Sequence, residues 1–132
     1  MQQPSLLHKG LTNRILKAYY DVYNELGYGF LEKVYQNALY LELKSRGFDV
    51  VAQKQITVFY KGQKVGEYYA DMVVNEKVIL ELKANEYLLE KDEYQLINYL
   101  RSTEYEVGLL LNFGTEPEFK RKIFQNIYKN FS

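Results

Sequence analysis

The sequence predicts an α/β (α+β) architecture in which one central mixed sheet is flanked by helices. Three observations point there. Two helical stripes precede Gly47, and between Gly47 and Ala84 the apolar period shortens to that of strands. Val107–Phe113 is a near-continuous apolar run of strand length, the pattern of a strand buried on both faces. No repeat, low-complexity tract or Pro/Gly-rich linker divides the 132 residues, so 1–132 is expected to form a single domain.

Residues 1–10 read as a loose leader. Thr12 is placed as an N-cap, and Ile15, Tyr19, Val22 and Leu26 form a helical stripe that stops at Gly27. A second helix is predicted from about Phe30 to Arg46, with Leu31, Val34, Ala38 and Leu41 on one face and Gly47 as its stop. Phe48–Ala52 and Gln55–Tyr60 are rich in β-branched and aromatic residues, and Lys61-Gly62 offers a turn. Val65–Val74 and Val78–Ala84 are two further strands around the polar break Asn75-Glu76-Lys77. A third helix covers Glu90–Arg101, with Tyr94, Ile97 and Leu100/Arg101 as its spacing. At the end, Glu118–Phe124 fits an edge strand and Phe124–Phe131 a short amphipathic helix.

Composition narrows the chemistry. Without cysteine there are no disulfides, thiolate metal sites or thiol nucleophiles, and His8 is the only histidine. What remains is carboxylates, lysine, tyrosine, hydroxyls or a hard cation on oxygen ligands. Seventeen basic and seventeen acidic residues cancel, which excludes a globally basic nucleic-acid footprint but not a local patch. Neither a membrane span nor a signal peptide is evident, so a cytoplasmic location is expected. Fourteen tyrosines suit either a ring-rich core or an interface.

The informative stretch is Val78-Ile79-Leu80-Glu81-Leu82-Lys83-Ala84. Strand side chains alternate, which puts Glu81 and Lys83 on one face with Ile79, and Leu80 and Leu82 on the other. A single solvated face would explain this, were it not for Asp71 in the preceding strand. If the loop is Asn75-Glu76-Lys77 and Val74 pairs with Val78, Asp71 falls directly opposite Glu81. Cross-strand partners stand about 5 Å apart at Cβ, where like charges repel. A divalent cation is the simplest reason to hold two carboxylates there, and Mg²⁺ held this way keeps positions for water and substrate oxygens. An ammonium two residues on can orient water or steady phosphoryl charge.

Gly29-Phe30-Leu31-Glu32-Lys33-Val34-Tyr35 carries a G-x-x-E-x-x-Y signature, and the chain resembles the GxxExxY family. The resemblance continues through Glu67–Asp71, Val78–Ala84, Gln95–Leu100 and Gly108–Gly114, and spans Leu11 to about Phe124. It implies the PD-(D/E)XK nuclease superfamily and its restriction-endonuclease-like fold, an αβββαβ core here preceded by an extra N-terminal helix. On this resemblance Asp71 is the motif aspartate, Glu81 and Lys83 supply the E-x-K, and Glu32 is the upstream acidic residue. Gln95 and Tyr99 resemble a Q-x-x-x-Y motif. The family's histidines are replaced here by Tyr23 and Asp92.

Each residue also has a plainer reading. Glu32 shares a helix face with Gln36 and would be favoured near a helix N-terminus by the dipole alone. Tyr35 reads as a core ring that can also bond Glu32. Gln95 and Tyr99, one turn apart, fit a half-buried helix face as well as a site. Lys120, Arg121 and Lys122 form a short basic run able to track a phosphate backbone, although most such runs are simply solvated.

The leading expectation is a divalent-metal-dependent nuclease acting on DNA. Asp71 and Glu81 would hold Mg²⁺ or Mn²⁺, with the Leu82 carbonyl as a further ligand. Lys83 would position or polarise the attacking water, Gln95 would align it, and Glu32 would assist. Tyr99, Lys120 and Arg121 would contact the substrate. The second expectation is a catalytically inactive nucleic-acid- or protein-binding module that retains the nuclease fold, motivated by zero net charge, the replaced histidines and the surplus of tyrosines. A homodimer is expected only by analogy with small nucleases that cut duplexes.

Overall fold

A computed structural model describes residues 4–129 of the chain. Two helices come first, α1 (Lys9–Leu26) and α2 (Glu32–Ser45), followed by three strands, β1 (Val50–Tyr60), β2 (Gln63–Val74) and β3 (Val78–Lys83). Helix α3 (Glu90–Arg101) then crosses over to β4 (Val107–Phe113) and β5 (Pro117–Ile123). The sheet runs β1-β2-β3-β4-β5, antiparallel except for the β3–β4 pair, which α3 connects in parallel. This mixed sheet with flanking helices is the predicted restriction-endonuclease-like arrangement, extended at its far edge by β5.

The sheet separates two cores. Val78, Leu80 and Leu82 of β3 and Val107, Leu109 and Leu111 of β4 pack with α1 and α2. Ile79 and Leu110 point the other way and pack with Leu96, Tyr99 and Leu100 of α3. Every residue of β4 is buried, so its unbroken apolar run reflects helices on both sides.

Local details depart from the sequence reading where packing overrides pattern. Pro4–Leu6 form a 3-10 turn and α1 begins at Lys9, so the loose leader shrinks; residues 1–3 lie outside the described residues. Thr12 is buried inside the first turn, its hydroxyl donating to the Lys9 carbonyl at 3.1 Å, and does not cap the helix. Helix α2 buries Tyr35, Leu39 and Leu43, while Leu31 and Leu41 of the predicted face are 81% and 66% exposed. Tyr35 decides this rotation. Its ring stacks on Phe113 with centroids 4.2 Å apart, and its hydroxyl donates to the Gly27 carbonyl and accepts the Phe30 N–H. It therefore anchors the α1–α2 loop rather than bonding Glu32.

Helix α3 likewise buries Leu96 and Leu100 and leaves Tyr94 and Arg101 outside. Gly108 explains the seating, because a Cβ there would meet Leu96 Cδ1 at 2.6 Å. The two predicted strands before Lys61 are one strand, in which Gln53 takes φ 55° and the register with β2 shifts between Val58 and Phe59. The C-terminal helix is reduced to a 3-10 turn at Asn126–Tyr128, and residues 130–132 lie outside the described residues.

Candidate active site

The site is made where β2 and β3 part. Their ladder has three pairs, Val74–Val78, Val73–Ile79 and Met72–Leu80, closed by the three-residue turn that the sequence suggested. One position further on, Asp71 and Glu81 come opposite each other in the same register. There the strands diverge, because β2 continues as a long two-stranded arm with β1, through Tyr60 and Gln63 at its tip. Side chains take over the broken ladder. The Asp71 N–H donates to Glu81 Oε2 at 2.9 Å, and the Leu82 N–H donates to Asp71 Oδ2 at 2.7 Å.

Both carboxyl groups are raised, chiefly by burial. Glu81 is 5% exposed, and burial plus the negative charge of Asp71 push it up to about 9. Asp71 is raised by burial, an effect opposed by its bond from Leu82 and by Lys83. Glu81 is therefore the member that holds a proton near neutrality, as expected when two carboxyls crowd one low-dielectric spot.

Three elements converge on this pair. From α2, Gln36 Nε2 lies 3.1 Å from Asp71 Oδ1 and 3.1 Å from Glu32 Oε1, linking the upstream glutamate to the hairpin. Burial and the Asp71 charge raise the Glu32 carboxyl too. From β3, Lys83 follows Glu81 on the same face, with Nζ 4.0 Å from Asp92 Oδ1. From α3, the Tyr99 hydroxyl is pushed up to about 12 by burial and by the charges of Glu81 and Asp71, so it remains a donor, with Gln95 one turn before it acting in the opposite direction.

The basic run divides. Arg121 faces the α1 side, with Nη2 bonded to the Leu7 carbonyl and Nε 3.4 Å from Thr12 Oγ1, so it ties down the N-terminal segment away from the acids. Lys122 is paired with Glu93 of α3 at 2.6 Å. Lys120 lies opposite Leu110, which lies opposite Glu81, hence in the same cross-sheet row two strands away.

Two contributors escaped the sequence reading. Gln36 had a usable signal, its i,i+4 spacing from Glu32. Asp92 is buried, and besides facing Lys83 it accepts the Leu89 N–H at 3.1 Å, capping α3. Tyr23, at the other replaced position, has its single hydroxyl proton within reach of the carbonyls of Gly114 and Thr115, at 2.7 and 2.8 Å, and braces the loop after β4. Asn112, fully buried, pairs both amide groups with the backbone of Asn85, at 3.0 and 2.9 Å.

The donor set fits a hard cation: two crowded carboxyls that must otherwise retain a proton, with a third carboxylate one amide away. Among the described residues no group of three or more Asp, Glu, His or Cys side chains is already gathered as ligands. Two protein carboxylates leave the remaining positions to waters and substrate oxygens, the usual pattern for Mg²⁺.

Comparison with known proteins agrees with this architecture. The family model of the PD-(D/E)XK nuclease superfamily matches residues 9–123, so the chain belongs to that superfamily. Its membership supports a nuclease-type function. The fold is similar to that in the crystal structure of SSO0001, with a TM-score of 0.57 and 16% identity over 91% of this chain. The match spans 62% of that longer protein. No curated protein matches the sequence. No helix among the described residues is long and apolar enough to cross a membrane.

Proposed function

We propose that this chain is a DNA-cleaving nuclease of the GxxExxY branch, dependent on Mg²⁺ or Mn²⁺. The observation that carries the reading is the meeting of the Asp71 and Glu81 carboxyls at the split hairpin, where the Asp71 N–H donates to Glu81 and the Leu82 N–H donates to Asp71, with Lys83 two residues after Glu81 on the same strand. Asp71 and Glu81 would hold the cation, with the Leu82 carbonyl as a further ligand. The bound ion supplies Lewis acidity toward phosphoryl oxygens. Lys83, steadied by Asp92, holds the attacking water and balances charge on the phosphate. Gln95 aligns that water, the Tyr99 hydroxyl donates to a phosphate oxygen, and Lys120 attracts the strand from the next strands over. Glu32 acts through Gln36 on the orientation of Asp71.

The G-x-x-E-x-x-Y spacing has a physical rationale here that supports the assignment. Gly29 adopts φ 115°, Glu32 opens α2 toward Asp71, and Tyr35 locks the loop between them. Purified protein incubated with plasmid and linear DNA in Mg²⁺ or Mn²⁺ is expected to cleave, and Glu81→Ala and Lys83→Ala to lose about a hundredfold in rate. Variants that cut as well as the parent overturn the reading.

A non-catalytic binding module is the second reading, motivated by the zero net charge and by Tyr23 and Asp92 in place of the family's histidines. Calorimetric titration with Mn²⁺ separates the two. Binding that disappears in Asp71→Asn supports the nuclease, and no binding in either protein supports the module.

A further inference from the structure

Beside the acidic pair, between α3 and the β1–β2 arm, lies an open cleft of about 550 Å³. Tyr68 on the arm and Tyr94 on α3 line it and are 48% and 58% exposed. Tyr99 forms its inner wall, with its ring centroid 5.7 Å from that of Tyr68. Tyr99 and Gln95 are the residues that the cleft shares with the surroundings of the acidic pair, since both line it and the charges of Glu81 and Asp71 act on the Tyr99 hydroxyl.

We propose that this cleft receives an unpaired nucleotide of the substrate strand, which makes single-stranded or frayed DNA the substrate class. The inference rests on the nuclease reading and adds the strand state that reading leaves open. Tyr68 and Tyr94 stand on the two elements that border the cleft, and a base stacked against these exposed rings would be held without regard to its identity. The Gln95 and Asn98 amides line the same cleft and offer donors and acceptors to a base edge. Lys91 supplies a cation for the adjoining phosphate. The volume suits one nucleotide and lies in the ordinary range of small-molecule pockets. A paired base could not present both faces to the two rings, because its neighbours in the stack cover them.

The test measures binding without divalent metal, so it does not depend on cleavage. Fluorescein-labelled oligo-dT of twelve nucleotides and a labelled twelve-base-pair blunt duplex are titrated in EDTA and followed by anisotropy. The single strand is expected to bind about tenfold or more tightly than the duplex. Tyr68→Leu and Tyr94→Leu should each weaken single-strand binding by about tenfold, with Tyr68→Phe retaining it. Lys91→Met should reduce the salt dependence of the single-strand complex by about 0.7 in log–log slope. Equal binding of the two DNAs, or leucine variants that bind like the parent, overturns the proposal. Tyrosine-dependent single-strand binding without Mn²⁺-dependent cleavage would sustain the cleft and defeat the nuclease reading. Cleavage lost in Glu81→Ala but unaffected by the tyrosine substitutions, with binding also unaffected, would do the reverse.

Discussion

Glu81 holds its proton at neutral pH because it is buried against Asp71, and this couples stability to pH. An acid whose folded pKa, about 9, exceeds its ordinary value near 4.5 contributes stability that is complete below the lower value. That contribution is lost as pH rises through the higher one. Metal-free protein is therefore expected to lose melting temperature progressively between about pH 5 and pH 9, and Glu81→Gln to flatten the slope. Thermal unfolding followed by circular dichroism across that range checks it; parallel slopes would contradict the assignment. Gln36 acts on the same pair through its bond to Asp71. Gln36→Leu should weaken Mn²⁺ binding by about tenfold to a hundredfold while leaving the fold intact, as read by calorimetry. The Asp71–Glu81 opposition was legible in the sequence because a three-residue turn and strand alternation determine it. The spacing of Gln36 from Glu32 was legible too, but its bond to Asp71 was not, since a contact between residues 35 apart depends on how α2 lies over the sheet.

At the scale of elements, α3 carries two duties on one residue. Asp92 caps its N-terminus and faces Lys83, so substitutions there separate stability from chemistry. Asp92→Ala is expected to lower stability by about 1 kcal/mol. Asp92→Asn keeps an oxygen for the cap and should recover most of that loss, yet both variants should cleave more slowly because Lys83 loses its ion partner. Chemical denaturation and single-turnover cleavage, measured side by side, resolve the two effects. The loop after β4 offers a second prediction. A Cβ on Gly114 would stand 2.6 Å from the Asn85 carbonyl oxygen, so Gly114→Ala should cost about 1–3 kcal/mol of stability. The bounds of α3 and β4 could be read directly from the sequence, and β2 and β3 nearly so, whereas β1 was read as two strands. The buried faces of α2 and α3 could not. Each helix has apolar residues on more than one stripe, and partners distant in sequence, Phe113 for Tyr35 and Gly108 for Leu96, select which stripe turns inward.

For the whole molecule, the crowded carboxyls make a divalent ion a stabiliser of the folded state. At a hundred times its dissociation constant, Mn²⁺ should add about 2.7 kcal/mol, reversible with EDTA and absent in Asp71→Asn. A melting-temperature series over Mn²⁺ concentration measures this directly. What the amino-acid order determined alone is local and periodic: the succession of helices and strands, the hairpin register, and the face shared by Glu81 and Lys83. Those follow from turn length and from side-chain alternation, which need no distant partner. The tertiary structure decided which groups meet that hairpin. It brought Gln36 and Glu32 from α2 and Asp92 and Tyr99 from α3, and it turned Arg121 to the opposite face to hold the N-terminal segment. It also ended the β2–β3 ladder before Asp71 while β2 goes on with β1, so that backbone donors of Asp71 and Leu82 are met by the two carboxyls instead.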